Sequence, residues 1–137
     1  MFKIKEDYRP AVIYMLLRMM AVDGRQDRRE YLYFIKVMHE MGMSIEDLAA
    51  MATSPLPADE KLPADERERM VILYFLLFMM ESDGVIAEEE IRLVKDLGHQ
   101  LGFRIELVAD LIQVIKTYDH ISSPSEALLD KIRTYLN

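Results

Sequence analysis

Met70-Val-Ile-Leu-Tyr-Phe-Leu-Leu-Phe-Met-Met80 is the longest uninterrupted apolar run of the chain, bounded by Glu68-Arg69 and Glu81-Ser82-Asp83. It is about half the roughly 20 residues that a spanning helix needs, so it reads as a core helix. Apolar nearly all round, it has to be covered on every side. Sixty positions earlier stands Pro10-Ala-Val-Ile-Tyr-Met-Leu-Leu-Arg-Met-Met20, and both runs lead into Asp-Gly. The register continues without a gap over residues 9 to 52 and 69 to 112. Identities pair Arg9 with Arg69, Tyr14 with Tyr74, Asp23-Gly24 with Asp83-Gly84, Glu30 with Glu90, His39 with His99, Gly42 with Gly102, Ile45-Glu46 with Ile105-Glu106 and Ala49 with Ala109. Such a match reads as a duplicated unit. Neither copy can bury its apolar helix alone, so the two should pack together as one pseudo-twofold domain spanning residues 1 to 137.

Each unit carries three helical signals. The first helix, Pro10 to Val22 or Met70 to Met80, ends at Asp-Gly, where Gly supplies a positive φ. The second runs from Arg28 to Met41 and from Glu88 to Leu101. Its apolar positions are Tyr31, Phe34, Met38 and Met41 in one copy and Ile91, Val94, Leu97 and Leu101 in the other, at the 3.6-residue period of a one-sided helix. Gly42 and Gly102 stop it. A third helix begins near Ile45 and Ile105, with Ser44 and Asp47 as an N-cap pair in the first copy. Residues 53 to 68 join the units through Leu56-Pro-Ala-Asp-Glu60 and Leu62-Pro-Ala-Asp-Glu66, a turn or helical entry in which Pro precedes acids. Ser123-Pro124-Ser125-Glu126 is a capping box that launches a last helix over Leu128, Leu129, Ile132, Tyr135 and Leu136. The expected fold is all-α, with about seven helices.

Composition narrows the function. The chain has 137 residues, no cysteine, and 17 basic against 24 acidic side chains, for a net charge of −7. Thiol catalysis, zinc fingers and disulfide scaffolds are excluded by the absence of cysteine. The negative charge argues against nucleic acid and anionic lipid as partners. The polar start, Met1-Phe2-Lys3-Ile4-Lys5-Glu6-Asp7, lacks the apolar stretch of a secretory signal, so a cytoplasmic protein without membrane insertion is expected. No Gly-rich phosphate loop, nucleophile elbow or HExxH is present, and no His falls beside a buried carboxylate, so an enzyme is not expected.

The most specific chemical feature is the repeated Asp-Gly-x5-Glu: Asp23 with Glu30, and Asp83 with Glu90. At roughly 100° per residue, Glu30 and Glu90 project into the apolar stripe of their helices. A carboxylate there is costly unless paired, hydrogen-bonded or metal-bound. Two readings follow. Asp23, Glu30, Asp83 and Glu90 bind a hard divalent cation of the calcium or manganese type through oxygen ligands, or the Asp residues cap turns while the Glu residues accept free N–H groups of a first helical turn. Asp83 to Glu90 also imitates the back half of an EF-hand loop. The preceding ligand positions would be Met79 and Glu81, or Met19 and Ala21, and three of these four offer no side-chain oxygen, which argues against an EF-hand.

The apolar helix, the Asp-Gly turn, the Glu seven residues after the Asp and the amphipathic helix ending in Gly resemble the TerB-like domains, named from tellurite-resistance operons. They are also similar to the N-terminal module of a membrane-anchored J-domain co-chaperone. The resemblance covers Pro10 to Ile115. It implies an internally duplicated helical fold, a non-enzymatic role in stress-associated bacterial complexes with protein partners, and a divalent-metal site at Asp23, Glu30, Asp83 and Glu90. This chain departs from the pattern at Val22 and Ser82, where a small residue is usual before Asp, and at Gln26. It also has Arg28-Arg29 where the second copy has Glu88-Glu89, and guanidinium groups compete with a cation for the same carboxylates. The metal reading is therefore stronger for the second unit. The alternative is a structural or dimerising interaction domain whose acids only cap helices.

Two further residue sets take plainer roles. His39 and His99 fall about 150° from the apolar centre of their helices and should face solvent, and His120 stands in a loop. Met15, Met19, Met38 and Met41 sit at core spacing, where thioethers fill gaps, so soft-metal chemistry is not assigned to them.

Overall fold

The computed structural model describes residues 4–22, 24, 28–44, 46, 47, 49, 62–81 and 86–117. A 3-10 turn over Glu6–Tyr8 leads into α1 (Arg9–Ala21), α2 (Arg28–Glu40), α3 (Glu66–Glu81), α4 (Glu88–Gln100) and α5 (Ile105–Thr117). The described residues are all-helical. Of the expected seven helices, the third of the first unit is represented by helical Glu46, Asp47 and Ala49, and the one expected over Leu128 to Leu136 lies outside the described residues. Both ends of α2 and α4 are sixty residues apart, 28 against 88 and 40 against 100.

The two apolar helices form the centre. α1 packs chiefly on α3, and α3 also meets α2, α4 and α5, while α5 lies on α4 and α3. Val12, Ile13, Leu16 and Met19 of α1 interleave in one core with Ile72, Leu73, Leu76, Leu77, Met79 and Met80 of α3. Met15, Met38 and Met41 join it, as their spacing predicts. Burial of this kind is worth roughly 1.5–3 kcal/mol per fully enclosed aliphatic side chain.

Helix ends follow local chemistry. Gly42 (φ 77°) and Gly102 (φ 91°) end α2 and α4 in the left-handed region that only glycine adopts cheaply. In both, the Gly N–H donates to the carbonyl two residues before the cap (Gly42 to His39, Gly102 to His99), and the next N–H reaches back five (Met43 to Met38, Phe103 to Gly98). These are Schellman ends. Ser44 and Asp47 form a reciprocal box: the Asp47 N–H donates to Ser44 Oγ at 3.2 Å and the Ser44 N–H to Asp47 Oδ2 at 2.9 Å. The Ser44 N–H holds the Asp47 carboxyl below its ordinary range. At the start of α3 the cap is Asp65, whose Oδ1 accepts the Arg67 N–H at 3.0 Å. Pro63 therefore stands two residues ahead of the cap and not in the first turn.

Two expectations about faces need correction. Tyr31 is 54% exposed although its counterpart Ile91 is 7% exposed. α1 is not covered on every side, because Leu17 is 41% exposed where Leu77 of α3 is fully buried. The physical reason is position: among the described residues α3 is flanked by four α-helices, and α1 by three and the short 3-10 turn. Periodicity identifies the apolar faces of a helix without specifying how many of them a neighbour will cover.

Candidate functional site

Glu30 and Glu90 are the buried charged side chains among the described residues, 2% and 0% exposed. Each lies in the first turn of its helix, where backbone N–H groups lack intrahelical acceptors and the helix dipole favours an anion. Their neighbours along the chain, Arg28 and Arg29 in α2 and Glu88 and Glu89 in α4, face solvent. The helical wheel thus places a carboxylate under the surface in both units while leaving the adjacent charges outside.

At α4 the chemistry of one oxygen is resolved. Glu90 Oε1 accepts the N–H of Ala87, the residue before the helix, at 3.1 Å. Ala87 has no side-chain acceptor to return the bond, so this is the Glu half of a capping box. The second oxygen, Oε2, is also enclosed from solvent. Asp23 and Asp83, the other two members of the expected set, lie outside the described residues. Of the turn that carries the first of them, Gly24 is described: it has φ 71° and its N–H donates to the Ala21 carbonyl at 3.2 Å. Carboxylate oxygens suit a hard cation, so the donor chemistry of Glu30 and Glu90 fits a calcium- or manganese-type ion. Among the described residues, no group of three or more His, Asp or Glu side chains could hold a metal.

His39 and His99 are exposed, as expected, and the Met residues at core spacing are packed inside. His120 lies outside the described residues.

Two arrangements escaped the sequence reading. The first is an arginine clamp on the Schellman end of α4. Arg69, at the start of α3, donates from Nη1 to the Leu101 carbonyl at 2.8 Å and lies 5.9 Å from the Phe103 ring. Its Nη1 occupies the space that a side chain on Gly102 would need, whereas Arg9 Nη2 stands 3.9 Å from where a Cβ on Gly42 would be, an ordinary contact. Cations at helix C-termini answer the free carbonyls. The identity of Arg9 with Arg69, in step with Gly42 and Gly102, was the available signal. The second is an aromatic cluster between α2 and α3: the Tyr74 and Phe78 rings are 4.3 Å apart and Tyr33 stacks on Phe78 at 6.5 Å. Burial, then Tyr74, then Glu40 and Glu81 push the Tyr33 phenol above its ordinary range. Burial, then Glu40, pushes Tyr74 up as well.

A groove of about 610 Å³, lined by Glu66, Met70, Gly102, Phe103, Arg104, Glu106 and Leu107, opens beside the α4–α5 turn and includes neither buried Glu. Among the described residues, no helix is long and apolar enough to cross a membrane. Comparison with models of protein families, with curated proteins and with solved structures finds no match.

Proposed function

We propose that this chain is a non-enzymatic, cytoplasmic binding module of the TerB-like kind, in which Glu90 with Asp83, aided by Glu30 with Asp23, holds a divalent cation and thereby sets a surface read by protein partners. The observation that supports it is the burial of Glu30 and Glu90 at equivalent places in α2 and α4. Enclosing an ionised carboxylate is costly, and a cation is one way to offset that cost. The sixty-residue register extends the reading to a duplicated, pseudo-twofold arrangement of the two motifs.

One observation favours a second reading. The Ala87 N–H bound to Glu90 Oε1 is what a purely capping role requires, and on that view the chain is a structural or dimerising interaction domain. Thermal unfolding separates the two. On the cation reading, millimolar calcium or manganese raises the melting temperature and Glu90→Gln abolishes the rise, because a ligand bound only by the folded state stabilises it. On the capping reading, Glu90→Gln costs about 1 kcal/mol whether or not metal is present. A parent protein whose melting temperature ignores both metals overturns the cation reading.

A further inference from the structure

Across the sixty-residue register, α2 and α4 carry opposite charge at two positions of the same outward stripe, Arg28 against Glu88 and Lys36 against Asp96. On α2 the exposed residues Arg28, Leu32 and Lys36 recur every four positions, and the same places on α4 hold exposed Glu88, Arg92 and Asp96. Residues four apart on a helix share a face. The centre of the α2 stripe is apolar: Leu32 is 53% exposed and Tyr31 stands exposed beside it. In a chain of net charge −7, two cations around exposed leucine and tyrosine, ahead of the half-exposed Glu40, run against the overall balance, and they complement Glu88 and Asp96 of α4.

The match holds in either direction. Antiparallel pairing sets Arg28 against Asp96 and Lys36 against Glu88, and parallel pairing sets Arg28 against Glu88 and Lys36 against Asp96. In both, Leu32 meets Arg92, whose methylene stem covers apolar surface while its guanidinium stays in water. Exposed ion pairs contribute little each. Burying Tyr31 and Leu32 would supply attraction, and the charges would select the partner face and disfavour α2 meeting α2.

We propose that the partner of α2 is α4 of a second copy of this chain, docked head to tail through Arg28, Leu32 and Lys36 on one copy and Glu88, Arg92 and Asp96 on the other. Because the two faces differ, the contact is heterologous, closing a ring where both ends are used or continuing into a longer assembly. The inference rests on the reading of the chain as an interaction module and gives that module a partner. It assigns no role to Glu30 or Glu90 and is read as association in metal-free buffer, so it and the cation reading fail separately.

Sedimentation velocity across the micromolar range tests it with the full chain and two charge reversals, Arg28→Glu with Lys36→Glu, and Glu88→Lys with Asp96→Lys. The parent is expected to self-associate, less so as salt is raised. Each variant alone should weaken association by about a hundredfold, since like charges then face each other. Mixing the two variants should restore it, because the acidic α2 of one now meets the basic α4 of the other. All positions are exposed, and an unchanged circular dichroism spectrum establishes that the variants fold. A parent that stays monomeric, variants that associate like the parent, or a mixture that stays apart would each overturn the proposal.

Discussion

The two units share a register yet solve different packing problems. Position for position, Leu17 is half-exposed and Leu77 enclosed, Tyr31 faces outward and Ile91 inward, and Met38 fills core space where Gly98 leaves room for its neighbours. The fourth residue after the shared tyrosine differs too: Arg18 sits 5.9 Å from the Tyr14 ring, whereas Phe78 packs on Tyr74. What stays the same is the punctuation, namely the arginine near the start of the first helix, the glycine that ends the second and the glutamate buried at its start. The lesson is that backbone ends and buried polar groups constrain a residue type more tightly than apolar positions, which can exchange partners as long as volume is kept.

The sharpest way to break this comparison is to shorten the paired leucines. Leu77→Ala should cost about 2–5 kcal/mol in urea unfolding, as fully enclosed leucines do, and Leu17→Ala about 1 kcal/mol or less, since much of its surface is already wet. Equal losses would mean that α1 is covered as fully as α3. Next comes Gly98. Gly to Ala inside a helix ordinarily stabilises by about 0.5–1 kcal/mol, but a Cβ there would stand 2.7 Å from Val108 Cγ2. Valine is stiff at χ1, so Gly98→Ala should instead destabilise by about 1–3 kcal/mol. The smallest effect concerns the aromatic cluster of α2 and α3. The fold holds Tyr33 and Tyr74 as neutral phenols, with ionisation raised above the ordinary value of 10. Their contribution is therefore complete below about pH 10 and is lost as pH rises beyond it. Urea midpoints measured upward from pH 9 should fall less steeply for Tyr33→Phe than for the parent.

How much was legible in the residues follows from the range of each interaction. Helix spans, the Gly42 and Gly102 stops, the Ser44–Asp47 box and the burial of Glu30 and Glu90 all depend on neighbours within a turn or two, and periodicity reaches that far. The outward turn of Tyr31 and Leu17 depends on which neighbouring helix arrives, information that a single helix does not carry. The same holds for Arg69 and the Leu101 carbonyl, 32 residues apart. Pro63 drew attention away from Asp65 because proline marks the neighbourhood of a helix start without specifying the cap itself. At the candidate site, burial of the glutamates was legible from the wheel. The choice between cation and cap depends on what meets each carboxylate oxygen, which spacing alone leaves open.

The central claim is that the second unit is the stronger cation site, because its sequence places Glu88 and Glu89 between Asp83 and Glu90 where the first unit has Arg28 and Arg29. Titration of manganese followed by the electron paramagnetic resonance signal of the free ion tests it directly. The account predicts that the parent removes free manganese, that Asp83→Asn with Glu90→Gln abolishes the uptake, and that Asp23→Asn with Glu30→Gln only weakens it. A parent that leaves the free-ion signal unchanged at millimolar manganese, or uptake that survives the second-unit pair, would contradict it.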